Sequence, residues 1–390
     1  METSKNIIVA PDKFKGSLSS IEVAECIQRG LSNSPVSGWN IDLHPLADGG
    51  EGTVQAIVEA MEGEIRQTVV KGPLGKNVQA KWGWIPEHND QDPIAVIEMS
   101  AASGLHLLSE SEYDPLSTST FGTGQLLLEA IENGAGTVIM GIGGSATVDG
   151  GLGMARALGY RVLDEAGEPV GTGNAALSDV ATIDDFNVDS RLDSIDIRVA
   201  CDVDNPLLGN RGSVHVYAPQ KGASSDQLEA MEKGMENWSD VVSDYVGDDD
   251  LSEQQGAGAA GGLGFGLMGL CDASLESGAD LVMDIAELNK KLRKADVLIT
   301  GEGAIDDQTA HGKTPYAVAT RASKQGVNQV IGLAGSLNQG YRECYDVFDL
   351  MLGLPVRPMK LEECLDEASE LLEQRARDVG RILNMGTKVK

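Results

Sequence analysis

The stretch IIVAPDKFKGS, residues 7–17, sets four apolar residues in a row and then breaks into a proline, an acid, two lysines and a glycine. A short apolar run closed by turn residues reads as a strand buried on both faces. The next segment carries helical spacing at Ile21, Ala24, Ile27 and Leu31, and Ser19 with Glu22 supplies an S-x-x-E capping box at its start. The design then repeats: IDLHPLA (41–47) is strand-like, DGGEGT (48–53) is a charged glycine loop, and Val54, Ile57, Val58 and Met61 follow amphipathic helical spacing. Strands that alternate with helices predict the α/β class, a parallel sheet covered by helices.

Further along, EIRQTVVKGPLGKNVQAKWGWI (64–85) alternates like an antiparallel pair around the turn GPLGKN, and AVIEMS (95–100) reads as another strand. A helix fits Gly124 to Asn133, then the strand TVIMGIG, helical spacing at Met154, Ala157 and Leu158, and the strand YRVL. DIRVACD and VHVYAP read as two more strands, followed by an acidic helical region that ends at the solvated run Asp248 to Asp250. After the glycine tract GAGAAGGLGFG (256–266), whose small residues suit close packing better than a hinge, the strand-helix rhythm returns. ADVLIT ends at the loop GEGAIDD, a helix follows HGKTP, QVIGLAG and FDLMLGL are strands, and a helix spans Leu361 to Leu383.

Composition excludes several classes. Sixty acidic against thirty basic residues give a formal net charge of -30, which repels phosphodiester backbones and anionic membrane surfaces. No stretch reaches the length of a membrane span, and the N-terminus lacks a basic region followed by an apolar one, so a cytoplasmic protein is expected. The five cysteines are odd in number and show no C-x-x-C spacing, which favours reduced thiols over disulfides or zinc. The acidic excess also suits high ionic strength, where self-repulsion is screened. Nothing in the sequence fixes the oligomeric state.

Ligands of parallel sheets sit beyond the carboxyl ends of the strands. Lys13 and Lys15 follow the first strand, Asp48 and Glu51 the second, and Glu302, Asp306 and Asp307 follow ADVLIT. If those strands are parallel neighbours, the groups gather at one edge, as a magnesium nucleotide and an anionic substrate require. GIGGSAT (141–147) admits two readings. Gly141, Gly143 and Ala146 match G-x-G-x-x-A, and Asp164 follows the next strand, as in a nicotinamide-dependent hydroxy-acid or hydroxypyruvate reductase. Ser145, Thr147 and Asp149 instead suit phosphate and metal. Gly312, Lys313 and Thr314 spell GKT, but Asp307 holds the place of the first glycine of a Walker A motif.

APDKFKGSLSS, LADGGEGT, GIGGSAT with the following DGG, ACDVDNPLLG, APQKGA, GAGAAGGLGFG and GEGAID with QTAHGKTP together resemble the bacterial glycerate kinase family, in order from residue 10 to residue 315. The resemblance implies ATP-dependent phosphorylation of glycerate by two domains with the active site in their cleft. One is a discontinuous flavodoxin-like domain, expected over 1–70 plus 290–390; the other is an inserted α/β domain over 71–289. Two positions depart from the family's pattern: Ala304, where arginine is usual, and Val148, where asparagine is common.

In-line attack of a hydroxyl on the γ-phosphorus needs positioning and charge neutralisation. Lys13, Lys15 and Asp12 are the expected substrate contacts, with Lys15 also catalytic. Asp48 or Asp202 would orient the attacking hydroxyl. Glu51, Asp149 and Glu302 are candidate Mg²⁺ ligands, and Gly143, Gly144, Ser145, Thr147, Gly301 and Gly303 would cradle phosphates. Glycerate and ATP are the expected partners, and nucleic acid and membrane are not.

Overall fold

The computed structural model describes residues 5–36, 38–47, 50, 52–87, 92–310 and 312–387, with side chains up to residue 385. Its strands are β1 (Asn6–Val9), β2 (Asn40–Leu43), β3 (Glu64–Lys71), β4 (Asn77–Ile85), β5 (Ile94–Glu98), β6 (Thr137–Gly141) and β7 (Arg161–Leu163). The rest are β8 (Thr182–Asp184), β9 (Asp196–Ala200), β10 (Ser274–Glu276), β11 (Val297–Ile305), β12 (Gln329–Leu337) and β13 (Leu350–Gly353). The chain divides into two compact units, Met1–Asp48 with Ala279–Lys390, and Gly49–Gly278.

The first unit holds a parallel sheet in the order β13-β12-β11-β1-β2. Counted in the order in which the unit's own strands occur, this is 2-1-3-4-5, the flavodoxin-like arrangement, and the order reverses between β1 and β11. The sheet joins chain ends that no local pattern links: Ile7 pairs with Val297. Ile7, Val9, Val297, Ile299, Ile331 and Leu333 form the buried centre, with Val23, Ile27 and Leu31 from the helix Ser20–Ser32 and Leu372, Ala376 and Val379 from the helix Ala368–Thr387 packed on it. The expected capping box is present: Ser19 Oγ accepts the Glu22 N–H while the Glu22 carboxylate accepts the Ser19 N–H.

The second unit holds a mixed sheet, β10-β9-β6-β5-β4-β3, parallel from β10 to β5 and antiparallel from β5 to β3. A small antiparallel pair, β7 and β8, stands apart. The helix Thr53–Ala60 belongs to this unit, so its boundary follows β2 directly rather than falling near residue 70. The core is built from small aliphatic residues around Trp82 and Trp238, both about 1% exposed or less.

Three local expectations are corrected. VHVYAP lies in the helix Ser213–Tyr217 and its C-cap: Val214 and Ala218, one helical turn apart, are buried while Val216 between them is exposed. Alternating β-branched residues in so short a run do not distinguish the two periods. ADVLIT does not stop at Thr300; β11 runs on through GEGAI, paired with β12. The last helix is two, Leu361–Asp366 and Ala368–Thr387. The five cysteines are free thiols, and no helix among the described residues is long and apolar enough to cross a membrane.

Candidate active site

In the first unit the loop after β1 lies beside the extension of β11. The Asp12 N–H donates to Gly301 O (2.9 Å), the Lys13 N–H to Asp12 Oδ1 (2.7 Å), and Thr300 Oγ1 to Ala10 O (2.7 Å). Phe14, 3% exposed, anchors the loop, and the N–H groups of Ser17 and Leu18 donate back to its carbonyl. Lys15 is thereby held on an exposed turn, and makes no ion pair among the described residues. A Cβ on Gly303 would lie 3.3 Å from Lys15 N, so only glycine leaves ordinary room for the turn against β11. Lys13, Lys15, Glu302, Asp306 and Asp307 thus gather at the carboxyl ends of β1 and β11, where the strand order reverses and where such sheets bind ligands.

The acids here differ in surroundings. Glu302 is 9% exposed and accepts Thr309 Oγ1–H at 2.7 Å. Asp306 accepts the Thr309 N–H and pairs with Lys313 at 3.4 Å. Gly301 and Gly303 are strand residues rather than loop residues; a Cβ on Gly301 would overlap the Leu333 carbonyl. Gly301 serves pairing with Leu333, and Gly303 serves close approach to the Lys15 turn. Asp48 and Glu51 lie outside the described residues.

In the second unit GIGGSAT follows β6. The loop is fixed from behind: Met99 N–H donates to Gly141 O, Leu105 N–H to Gly144 O, Ala146 N–H to Ser103 O, and Thr118 Oγ1 to Ala146 O. Gly143 and Gly144 form an exposed tip, while Ser145, Thr147, Val148 and Asp149 are buried. Among the described residues no protein acceptor takes the N–H of Gly143, Gly144 or Ser145. Consecutive unclaimed N–H groups on a turn make a concavity for anions.

Beneath the loop, Lys221 Nζ donates to Ser145 Oγ at 2.6 Å and to Thr147 O at 2.8 Å. Lys221 is 3% exposed, and burial pulls its pKa from the ordinary lysine range down to about 7, with the Asp149 charge opposing. Thr147 Oγ1 is buried with no hydrogen-bond partner among the described residues. Lys221 was not among the side chains singled out from sequence. The signal was the APQKGA block, which sets one lysine in a turn of mostly small residues.

Asp149 has another task than metal ligation. One oxygen accepts Thr120 N–H (2.8 Å), Thr120 Oγ1–H (3.0 Å) and Gly153 N–H (3.2 Å), and the other accepts Gly151 N–H (3.3 Å). It joins the starts of the helices Phe121–Glu132 and Leu152–Ala157. Fully buried, with both oxygens taken by protein donors, its carboxylate is not presented to a metal, and burial raises its pKa. Val148 is fully buried in the core. Asp202 is exposed and accepts Gly278 N–H at 2.9 Å.

The nicotinamide fingerprint fails on context. The helix begins at Leu152 rather than inside the glycine turn, and Asp164 closes a turn in the antiparallel β7–β8 segment by accepting the N–H groups of Ala166 and Glu168. Gly264, Gly266 and Gly269, which also have G-x-G-x-x-G spacing, lie inside the helix Ala259–Cys271.

Residues 7–384 match the model of the glycerate kinase family. The chain is 45% identical to the glycerate kinase of Halalkalibacterium halodurans over 96% of this chain and 97% of that one. It is 43% identical to the glycerate 2-kinase of Escherichia coli K12, covering 85% of each. A solved structure from Salmonella typhimurium LT2, provisionally designated glycerate kinase 2, is 40% identical and superposes with a TM-score of 0.89 over 99% of this chain and 100% of that one.

Proposed function

Because the chain belongs to the glycerate kinase family, we propose that it transfers the γ-phosphoryl group of ATP to a hydroxyl of D-glycerate, giving ADP and 2-phosphoglycerate. The observation that carries this is the tip of GIGGSAT, where the N–H groups of Gly143, Gly144 and Ser145 have no protein acceptor among the described residues. Such a turn suits phosphate oxygens. The likeness to the Escherichia coli glycerate 2-kinase supports position 2.

In this reading Gly143, Gly144 and Ser145 hold nucleotide phosphates, while Thr147, fully buried, supports the loop through the carbonyl that Lys221 binds. Lys13 and Lys15 bind the carboxylate of glycerate or the transferred group, on a turn held by Asp12. Asp48 or Asp202 orients the attacking hydroxyl so that its oxygen meets phosphorus in line as its proton departs. No group of three or more metal-ligating side chains is preassembled among the described residues. Mg²⁺ takes oxygen ligands and is usually held by one or two carboxylates, with phosphate oxygens and waters completing the shell. Glu302 and Glu51 are the carboxylates assigned to it, and when bound it offsets charge on the phosphate oxygens. The fixed donors do the rest by electrostatics and positioning.

ADP release in the presence of ATP and Mg²⁺ should require glycerate. Adding enolase without a phosphoglycerate mutase should then give phosphoenolpyruvate, since only the 2-phosphate feeds enolase directly. ADP without phosphoenolpyruvate would overturn the position, and no glycerate-dependent ADP would overturn the function.

A further inference from the structure

We propose that Lys221 is a positioning residue for nucleotide phosphate: it turns the Ser145 hydroxyl outward as a donor and supplies positive charge behind the tip of the glycine loop. The inference rests on reading GIGGSAT as the phosphate-binding loop.

The argument begins with hydrogen-bond capacity. A lysine ammonium has three donors and no acceptor. While Lys221 is charged, Ser145 Oγ, 2.6 Å from its Nζ, accepts from it, so the hydroxyl's own proton is left for another partner. Beside it stand the unclaimed N–H groups of Gly143, Gly144 and Ser145. Four donors therefore share one turn, backed by a cation whose second bond, to Thr147 O, fixes the far side of the loop.

Charge leads to the same place. Lys221 is 3% exposed, and no carboxylate lies within ion-pair distance of it among the described residues. Its neighbour on the preceding helix is the Tyr217 ring, with the ammonium 5.8 Å from the ring centre, and Asp149, bound to Thr120 and to backbone donors, acts on it only through space. A buried ammonium without a carboxylate is costly, and its depressed pKa records that cost. An incoming phosphate would supply the missing countercharge. The lysine is held in place by its turn: Gly222 has φ +104 and lies against Tyr113, leaving no room for a side chain at the next position.

The test uses Lys221→Met, which keeps the length and removes the charge, with Ser145→Ala and the double variant. Binding of ATP, ADP and adenosine would be measured by calorimetry, and turnover by ADP release. Lys221→Met should weaken ATP and ADP binding by at least about tenfold and cut kcat roughly 100-fold, as for loss of an oriented anion donor. Adenosine affinity and the KM for glycerate should stay within about twofold. Thermal stability should hold or rise, because an unpaired buried charge has been replaced by an apolar chain. The double variant should be no worse than Lys221→Met alone. If Lys221→Met fails to fold, Lys221→Gln, which keeps a donor for Ser145 but no charge, takes its place. Wild-type ADP affinity in Lys221→Met with loss in Ser145→Ala overturns the role of Lys221 alone, as would additive losses in the double variant. Wild-type affinity in both overturns the phosphate-loop reading with it.

Discussion

Lys221 also leaves a mark on stability. In the folded protein its pKa is about 7, whereas the unfolded chain holds that proton up to about 10.5. Between those values the unfolded state binds more protons, so native stability rises with pH, and the penalty is fully present below 7. From pH 7 to 9.5 wild type should gain roughly 3 kcal/mol relative to Lys221→Met. Urea unfolding at the two pH values measures this; parallel curves for the two proteins would contradict it. Lys15 is expected to behave in the opposite way. Its side chain is exposed on a turn anchored by Phe14, so Lys15→Met should leave the melting temperature within about 1 °C, while turnover falls by two or more orders of magnitude if it meets the substrate's charge. Full activity would remove it from the site.

At the scale of elements, the glycine tract resolves into contact rather than hinge. The helix Ala259–Cys271 opens with Ala260, Gly261 and Gly262 at φ of 53, 72 and 85, and the Gly261 carbonyl accepts Gly150 N–H. A Cβ on Gly261 would overlap the Thr147 carbonyl, in the same loop that Lys221 holds. Gly261→Ala is therefore expected to destabilise the protein by more than about 2 kcal/mol, since it combines left-handed backbone with backbone overlap. Denaturant midpoints with unchanged slope would measure it; a loss under about 0.5 kcal/mol would contradict this packing. Much at this scale was legible in sequence. The Ser19 and Glu22 box, the antiparallel pair around GPLGKN and the strand before GIGGSAT are set by neighbours in the chain. The extension of β11 through GEGAI was not, because its pairing with β12 is a tertiary choice that overrides glycine's poor strand propensity. Asp149 was misread for a similar reason: an acid beside glycines looks like a ligand until Thr120, 29 residues away, is seen to bind it.

For the whole molecule the dominant quantity is the net charge of -30. At about 0.01 M salt the screening length is roughly 30 Å, so charges repel across the protein, and near 1 M it is about 3 Å. The denaturant midpoint should rise from millimolar to molar KCl; a flat or falling curve would show that surface repulsion does not limit this fold. The sheet order has a consequence for synthesis. Ile7 pairs with Val297, 290 positions later, while the second unit is one continuous stretch between them. At about 5–20 residues per second the ribosome needs roughly 15 to 60 s to make the partner of β1. During that interval the inner unit can fold, while the nascent β1 and β2 wait with bare edges, an early opening for chaperones and a reason to keep those strands only four residues long.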